Sequence, residues 1–194
     1  MNKVNKIGLF FGSFNPIHIG HTAISNYILE YSDLSEIWFI VTPQNPFKVD
    51  DTLLDENLRL EMLKQAIVNE TRFKAEDIEF NLPKPSYTAN TLTELSLLHP
   101  SFNFVLIMGS DNYLNIDKWK DAEIITENYE IIVYPRLGYY ALKHSLPLKT
   151  QIINAPIIDI SSTMIRDGIK IGKKMMFFMP SGVYDYIKIN NLYK

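Results

Sequence analysis

Residues 12–21 read Gly-Ser-Phe-Asn-Pro-Ile-His-Ile-Gly-His, and the predicted fold is organised around this stretch. The apolar run at residues 7–11 just before it has the length and bulk of a buried parallel strand. A glycine and a serine interrupt that strand, and a proline, which cannot donate to a strand ladder, prevents its continuation. From Thr22 onward, apolar residues recur at helical spacing. The stretch is therefore predicted to join a strand to a helix through a tight turn.

Two histidines lie where this helix is predicted to begin. The unpaired N–H groups and partial positive charge of a helix start suit a phosphate, and Gly12 and Gly20 would let the backbone approach one closely. A strand–helix junction that merely contains histidines is one alternative, but His18 and His21 bracket a glycine in a chain with only four histidines. A metal site is another, which the lack of cysteine and of a nearby carboxylate disfavours. The residues favour phosphate chemistry.

The stretch also resembles a known signature. Residues 12–21 are similar to the G-[ST]-F-[DN]-P-x-H-x-G-H motif of the nucleotidyltransferase superfamily, whose second half is the His-Ile-Gly-His of class I aminoacyl-tRNA synthetases. The resemblance implies that His18 and His21 contact the phosphates of ATP, with His21 acting most on the transition state. Asn15 stands where an aspartate is commoner, so no carboxylate role is carried over to it.

A second predicted phosphate site lies nearer the end of the chain. Residues 160–166 read Ile-Ser-Ser-Thr-Met-Ile-Arg, so three hydroxyls precede a helix predicted at 162–170. Arg166 falls one turn inside that helix and could hold the same anion as a bidentate fork. An ordinary helix cap beside a surface arginine is the alternative. The string resembles the second signature of the adenylyltransferases, which fills the place of the synthetases' lysine-rich loop.

Further stretches point to one branch of the superfamily. Residues 85–92 resemble the Y-T-x-x-T-L element of the bacterial nicotinate-nucleotide adenylyltransferases, and a loop entering a helix could hold a carboxylate by N–H groups and hydroxyls. A capping box at residues 91–94 beside a core tyrosine is the alternative. Residues 109–112 with Trp119 resemble the same family's G-x-D loop and its following tryptophan. An indole can stack on a pyridine ring, although an isolated tryptophan more often packs in the core.

Lys48 and Arg136 can each be interpreted in two ways. Residues 42–48 depart most from the family, because Asn-Pro-Phe-Lys at 45–48 replaces a proline-proline-histidine-basic string. Lys48 could hold the mononucleotide phosphate or be a solvated loop lysine. Arg136 matches an R-x-G element, with structural and ATP-side roles both open. The resemblance as a whole runs from residue 7 to about residue 187.

Composition limits the function class. The 194 residues are 46% hydrophobic and 21% charged, as in ordinary globular proteins, and are enough for one sizeable core. A net charge of -3 gives no electrostatic footprint for nucleic acid. The absence of cysteine excludes disulfides, zinc–thiolate sites and thiol nucleophiles. The sequence has no signal-peptide core and no run long enough for a membrane span. A cytoplasmic protein is expected.

Apolar strand-like runs alternate with helical patterns along the chain. This pattern predicts one α/β domain over residues 1–194, a Rossmann-like doubly wound parallel sheet of five to six strands with helices on both faces. The informative loops all follow predicted strands, where such sheets bind ligands. Residues 139–148 have no assigned structure. Besides the first strand, strands are predicted at 36–41, 78–80, 102–108, 129–134 and 152–155, and further helices at 55–69, 91–98, 118–126, 162–170 and 181–189.

The resemblance implies transfer of AMP from ATP to nicotinate mononucleotide, giving nicotinate adenine dinucleotide and pyrophosphate, with Mg²⁺ carried by ATP. The mononucleotide phosphate is itself a nucleophile, so the absence of a Ser-His-Asp triad is no obstacle. The alternatives are a nicotinamide-mononucleotide or pantetheine-phosphate adenylyltransferase, or a non-catalytic nucleotide-binding regulator. ATP and the mononucleotide are the expected partners, without nucleic acid or membrane, and a homo-oligomer is compatible with the sequence.

The resemblance also implies which residues form the site, with no side-chain metal ligands. The implied catalytic residues are His18, His21 and Arg166. The implied ATP-binding residues are Gly12, Ser13, His18, His21, Ile160, Ser161, Ser162, Thr163 and Arg166. The implied mononucleotide-binding residues are Phe14, Asn15, Lys48, Tyr87, Thr88, Thr91, Gly109, Asp111, Trp119 and Arg136.

Overall fold

The computed structural model of the protein describes residues 5–44, 53–139 and 149–194. Within these ranges six strands form one sheet in the order β3-β2-β1-β4-β5-β6, and every neighbouring pair is parallel. The strand order switches between β1 and β4, which is where doubly wound sheets place their ligands. The predicted fold class is confirmed. The strands are β1 Asn5–Gly12, β2 Glu36–Val41, β3 Phe73–Glu76, β4 Phe102–Gly109, β5 Glu130–Tyr134 and β6 Thr150–Ile152.

Helices cover both faces of the sheet. One face is packed by α1, α2, α6 and α7, and the other by α3 and α5. No helix in the described ranges has the length and apolar character needed to span a membrane. The α-helices are α1 Ile19–Glu30, α2 Glu56–Ile67, α3 Thr88–Leu98, α4 Ser110–Tyr113, α5 Ala122–Asn128, α6 Ser162–Lys170 and α7 Val183–Ile189, and 3-10 turns occur at Ile78–Asn81, Ile116–Lys118 and Met176–Phe178.

The central strands are apolar throughout because both of their faces are buried. In β4, Val105 and Ile107 belong to the core under α1 and α2. Their neighbours Leu106 and Met108 face the core under α3 and α5. This alternation is the two-residue period of a strand, and burial on both sides makes the sequence pattern continuous. The same property allowed β1, β2 and β4 to be predicted from their apolar runs.

The predicted third strand at 78–80 is wrong. Those residues form a 3-10 turn, and the edge strand is β3 at Phe73–Glu76. In β3 the apolar Phe73 and Ala75, which pack against the core, alternate with Lys74 and Glu76. A four-residue, half-polar edge strand gives a weaker signal than the apolar turn beside it.

Several boundaries also differ from the prediction, and the helix predicted at 118–126 is α5 at Ala122–Asn128. α1 begins at Ile19 rather than near Thr22, so it includes His21. The capping box predicted at 91–94 is wrong, because α3 begins three residues earlier, at Thr88. Burial of Ala89, together with Leu92 and Leu95, stabilises this earlier start. The last strand is Thr150–Ile152, earlier than 152–155. The unassigned residues 140–148 lie outside the described ranges.

A buried arginine ties the ends of two strands together. Arg59 lies on α2, and its side chain is 1% exposed. Its Nη1 donates to the carbonyl oxygens of Ser13 and Thr42, both at 2.7 Å. Its Nη2 donates to the carbonyl of Pro43 at 2.9 Å, and its Nε to that of Leu54 at 2.9 Å. The loops that leave β1 and β2 are thereby held to one another.

This guanidinium has no ion pair with any described carboxylate, and burial lowers its pKa from the ordinary value. Charge-assisted hydrogen bonds to carbonyls therefore offset its desolvation. Sequence reasoning missed Arg59, although it stands among the apolar positions of an amphipathic helix. A charged residue on the apolar face of a helix is the sequence signal that could have indicated a buried arginine.

We expect Arg59→Met to lower the free energy of unfolding by about 3 kcal/mol, because it leaves buried carbonyls without donors. For a domain of this size that corresponds to a loss of roughly 6–12 °C in Tm, which calorimetry would measure. Arg72→Met is the matched control, because Arg72 forms surface ion pairs with Glu30 and Glu70. Its Tm should change by no more than about 2 °C. Equal losses in the two variants would contradict the role given to Arg59.

Candidate active site

Two stacked imidazoles lie at the carboxyl end of β1. His18 is the N-cap residue of α1, and His21 lies in its first turn. Their ring centroids are 3.7 Å apart, with an interplanar angle of 24°. The ring of Phe14 packs edge-on against His21, with 5.2 Å between centroids. The orientation of the pair is therefore set by the helix start below it and by the core beside it.

A backbone hydrogen bond fixes the proton of His21. The N–H of His18 donates to Nδ1 of His21 at 3.2 Å. A neutral imidazole that accepts at Nδ1 carries its proton on Nε2. Nε2–H is thus the donor that His21 can offer. Nδ1 of His18 is itself buried and has no hydrogen-bond partner among the described residues.

Both imidazoles are neutral at physiological pH. Burial, with a smaller contribution from the positive charge of Arg136, lowers the pKa of His18 to about 4. Burial also lowers the pKa of His21 well below its ordinary value, and the charges of His18 and Arg136 act in the same direction. A buried imidazole disfavours its charged form. The pair can therefore donate hydrogen bonds without carrying charge, and Arg136 supplies the positive charge nearby.

Glycines make room for the side chains of the site. A Cβ on Gly20 would lie 2.9 Å from Nδ1 of His18, and a Cβ on Gly12 would lie 2.8 Å from the ring of Phe14. Any larger residue at these positions would displace a ring. Close approach of the backbone to a ligand, the role predicted for these glycines, is a separate function and stays a prediction.

The second signature docks directly on the first. The hydroxyl of Ser162 donates to the carbonyl of Pro16 at 2.9 Å, across 146 positions of sequence. Nη1 of Arg166 donates to the carbonyl of Asn15 at 2.9 Å. Two of the predicted ATP-binding segments therefore meet at one place, beside the stacked histidines.

The start of α6 has the predicted form. Oγ of Ser161 accepts from the N–H of Met164 at 3.2 Å and caps the helix. Oγ1 of Thr163 lies 3.5 Å from Nη2 of Arg166. Ile160 is half-buried and packs against the core. This helix start thus forms a wall of the site.

Arg136 and Asp111 line a pocket at the carboxyl ends of β4 and β5. The buried hydroxyl of Ser110 accepts from the backbone N–H of Arg136 at 2.9 Å, and Nε of Arg136 lies 3.9 Å from Oδ1 of Asp111. A Cβ on Gly109 would meet that same oxygen at 2.3 Å. The pocket has a volume of about 260 Å³ and is lined by Asp111, Arg136, Leu137, Tyr139, Ile158 and Asp159.

A second group of predicted residues gathers at the start of α3. Tyr87 is the N-cap residue of this helix, its side chain makes no capping hydrogen bond, and Thr88 is the first helical residue. Nζ of Lys120 lies 4.4 Å from the centroid of the Tyr87 ring. Its neighbour Trp119 is half-buried against the core under α3 and α5. The segment that carries the tryptophan therefore contacts the Tyr87 loop through Lys120.

Three of the residues predicted to contact the mononucleotide are buried against other parts of the protein. Phe14 is 1% exposed and Asn15 is 2% exposed, and Oδ1 of Asn15 accepts from the hydroxyl of Tyr193 at 2.8 Å. The fully buried Thr91 donates its hydroxyl to Oε1 of Glu79 at 2.7 Å. These three side chains thus have protein partners, and their contact with the mononucleotide stays a prediction. Lys48 lies outside the described residues.

No group of three acidic, histidine or cysteine side chains in the described part of the chain could hold a metal ion. Sequence reasoning also missed Glu79, Ser110 and Lys120, each of which contacts a residue that was predicted. Glu79 and Ser110 are buried polar groups, which only a three-dimensional structure reveals.

Solved structures agree with this fold. A Plasmodium falciparum nicotinic acid mononucleotide adenylyltransferase complexed with NaAD superposes with a TM-score of 0.81, at 22% identity and over 97% of each chain. The same protein complexed with APC gives a TM-score of 0.79, again at 22% identity and over 97% of each chain. At this identity the comparison shows the shared fold.

Sequence comparisons identify the family. Residues 9–168 match the cytidylyltransferase-like family. A protein of Flavobacterium johnsoniae named "Probable nicotinate-nucleotide adenylyltransferase" is 48% identical, over 97% of this chain and 99% of its own length. A Bacteroides fragilis protein of the same name is 46% identical, over 94% of this chain and 90% of its own. The chain therefore belongs to the cytidylyltransferase-like family and, within it, to the nicotinate-nucleotide adenylyltransferases.

Proposed function

We propose that this protein transfers AMP from ATP to nicotinate mononucleotide, forming nicotinate adenine dinucleotide and pyrophosphate in NAD biosynthesis. The observation that carries the proposal is the docking of α6 on the loop after β1, through Ser162 and Arg166. It brings together, beside two neutral imidazoles, two segments that each resemble a phosphate-binding signature. Full-length relatives named for this activity, at 42–48% identity, support it.

In this reaction a phosphate oxygen of the mononucleotide attacks the α-phosphorus of ATP. The bond from that phosphorus to the bridging oxygen breaks, and pyrophosphate leaves. The protein needs no nucleophile of its own. It must hold two anions in line and stabilise the charge that grows on the α-phosphate and on the leaving group.

The stacked histidines would donate hydrogen bonds to the phosphate oxygens of ATP. Nε2–H of His21, whose position is fixed by the backbone bond to Nδ1, would donate to a phosphate oxygen near the start of α1. His18 would hold the neighbouring oxygens. Because both rings are neutral, their contribution is directional hydrogen bonding, and the positive charge would come from Arg136 and Arg166. Gly12 and Ser13 would contribute backbone and hydroxyl contacts.

The start of α6 would hold the β- and γ-phosphates. Its first N–H groups and the hydroxyls around Ser161 and Thr163 lie on the same side as Arg166. Mg²⁺ would enter as part of the ATP substrate, because the described residues offer no three-ligand group to hold it. The proposal includes a single domain over residues 1–194 and a cytoplasmic location.

The start of α3 would hold the nicotinate ring. Tyr87 does not cap the helix with its side chain, and the N–H groups of Thr88 and Ala89 would be the donors to a carboxylate. Trp119 would stack on the pyridine ring. Gly109, Asp111 and Lys48 would complete the mononucleotide side.

We expect His21→Ala to lower kcat by roughly 100-fold, the effect of losing one preorganised donor to the transition state. The Kd of ATP should rise far less, because the other phosphate contacts persist. His21→Asn, which keeps a donor of similar reach, should recover part of the loss. His99→Ala is the control, since His99 stacks on Phe102 at the other end of β4. Measuring kcat, ATP affinity and Tm on each preparation separates catalysis from folding: a normal kcat in His21→Ala would refute the assignment.

We expect nicotinate mononucleotide to be preferred over nicotinamide mononucleotide by about 2–4 kcal/mol, or roughly 30- to 1000-fold in kcat/KM. The reason is that N–H groups at the start of α3 would lose their charged partner when the carboxylate becomes an amide. Pyrophosphate release should be measured with ATP and four acceptor conditions: the two mononucleotides, phosphopantetheine and none. Equal efficiency on both mononucleotides would contradict the Tyr87–Thr88 subsite, and a preference for phosphopantetheine would contradict the proposed function.

The neutrality of the histidine pair predicts a pH dependence of stability. In the folded state the pKa of His18 is about 4, against about 6.5 for an unfolded histidine. The unfolded chain therefore binds the extra proton first, so stability falls as pH falls through 6.5. The loss at pH 5 relative to pH 7 should be about 2 kcal/mol for His18.

Urea unfolding of the wild type and of His18→Gln at pH 7 and pH 5 isolates this contribution. The difference in unfolding free energy between the two proteins should shift by that amount in favour of the variant at pH 5. A difference that is the same at both pH values would show that His18 titrates normally in the folded state.

A further inference from the structure

A buried carboxylate lies directly behind the start of α3. Glu79 sits in the 3-10 turn after β3 and is 1% exposed. Its Oε2 accepts from the hydroxyl of Ser86 at 2.9 Å, and its Oε1 from the hydroxyl of Thr91 at 2.7 Å. Thr42 provides a third hydrogen bond. No lysine, arginine or histidine in the described ranges pairs with this carboxylate.

A carboxylate without a cationic partner is costly to bury, so the position of Glu79 needs a physical explanation. Burial raises the pKa of Glu79, and the three hydroxyls act against that rise. Hydroxyl donors to an ionised acceptor are strong but do not remove the desolvation cost. An apolar residue would fill the same space at lower cost. The carboxylate instead fixes the relative positions of its three donors, because it accepts hydrogen bonds from several directions at once.

The partners of Glu79 bracket the helix start. Ser86 precedes the N-cap residue Tyr87, and Thr91 lies one turn inside α3. Thr91 donates to Glu79 at 2.7 Å, while the carbonyl of Tyr87 is 3.3 Å away. The carboxylate therefore holds both sides of the turn that contains Tyr87 and Thr88.

The third partner connects this turn to the phosphate end of the site. Thr42 follows β2, and its carbonyl accepts from Arg59 at 2.7 Å. The same guanidinium group binds the carbonyl of Ser13, just after β1. A continuous set of hydrogen bonds thus runs from the start of α3 to the loop that carries the histidines.

We propose that Glu79 is a positioning residue for the acceptor substrate: it fixes the first turn of α3 so that its N–H groups meet the carboxylate of nicotinate mononucleotide. This inference rests on the proposed function. A displacement of that turn by a fraction of an ångström would weaken the contact with the ring carboxylate. It would leave the ATP side unchanged, because Arg59 binds the backbone carbonyls of Thr42 and Ser13, and Ser162 that of Pro16, without using the Glu79 side chain.

Glu79→Gln gives a sharp test, because it keeps the shape and removes the charge. Loss of a negative charge near an anionic substrate would by itself strengthen binding. Loss of positioning should instead raise the Kd of nicotinate mononucleotide by about tenfold, the effect of one weakened charge-assisted contact. The Kd of ATP should stay within about twofold, and the preference for nicotinate over nicotinamide should fall.

Three further variants separate loss of positioning from a folding defect in Glu79→Gln. Thr91→Val removes one donor while leaving the charge, and it should raise the Kd of nicotinate mononucleotide in the same direction. Thr93→Val is its matched control, since the exposed Thr93 donates to Ala89 within the same helix. Glu76→Gln, on the neighbouring strand, controls for loss of a carboxylate.

Isothermal titration with each ligand and a Tm for each variant distinguish the outcomes. If folded Glu79→Gln and Thr91→Val bind nicotinate mononucleotide as the wild type does, or more tightly, Glu79 has only a structural role and the inference fails. If the wild type itself forms no dinucleotide from this acceptor, the proposed function fails instead.

Discussion

The hydrogen bonds of one buried guanidinium hold together the loops that follow β1 and β2 at the carboxyl edge of the sheet. Arg59 reaches from α2 to the carbonyls of Ser13, Thr42 and Pro43. A parallel sheet places its strand ends side by side but leaves the following loops to find their own conformation. Here an unpaired buried charge and unpaired buried carbonyls would both be costly, so the two loops and α2 have one favourable arrangement. The histidines and the Thr42–Glu79 bond are built on that arrangement.

In the candidate site, the hydrogen-bond donors are neutral histidines and the positive charge lies on arginines. His18 and His21 are kept neutral by burial and by the proximity of Arg136. A neutral imidazole with a fixed tautomer donates in one direction and needs no change of protonation as charge develops on a phosphate. In the proposed reaction Arg136 and Arg166, which remain charged, would supply the positive charge that attracts the phosphates. The docking of α6 on the loop after β1 places one such arginine next to the backbone of the first signature.

Much of this was predictable from the sequence, and for physical reasons. Strands buried on both faces have unbroken apolar runs, so β1, β2 and β4 were evident. The two short signatures identified the segments that the structure brings together. The edge strand β3 was missed because only one of its faces is buried. Arg59 and Glu79 were missed because their roles depend on partners far away in the sequence: Ser13 lies 46 positions from Arg59, and Thr91 lies 12 from Glu79. Thr91 was predicted to bind the mononucleotide from its resemblance to a family element, and the sequence alone does not show that its hydroxyl also donates to Glu79.

The central claim is that the two docked signatures form one site for attack on the α-phosphorus of ATP. The most direct measurement follows ATP labelled at its α-phosphorus through a reaction with nicotinate mononucleotide. Our account predicts that the label appears in nicotinate adenine dinucleotide and that the pyrophosphate, released in equal amount, is unlabelled. Label recovered only in free AMP, or no dinucleotide at all, would contradict it.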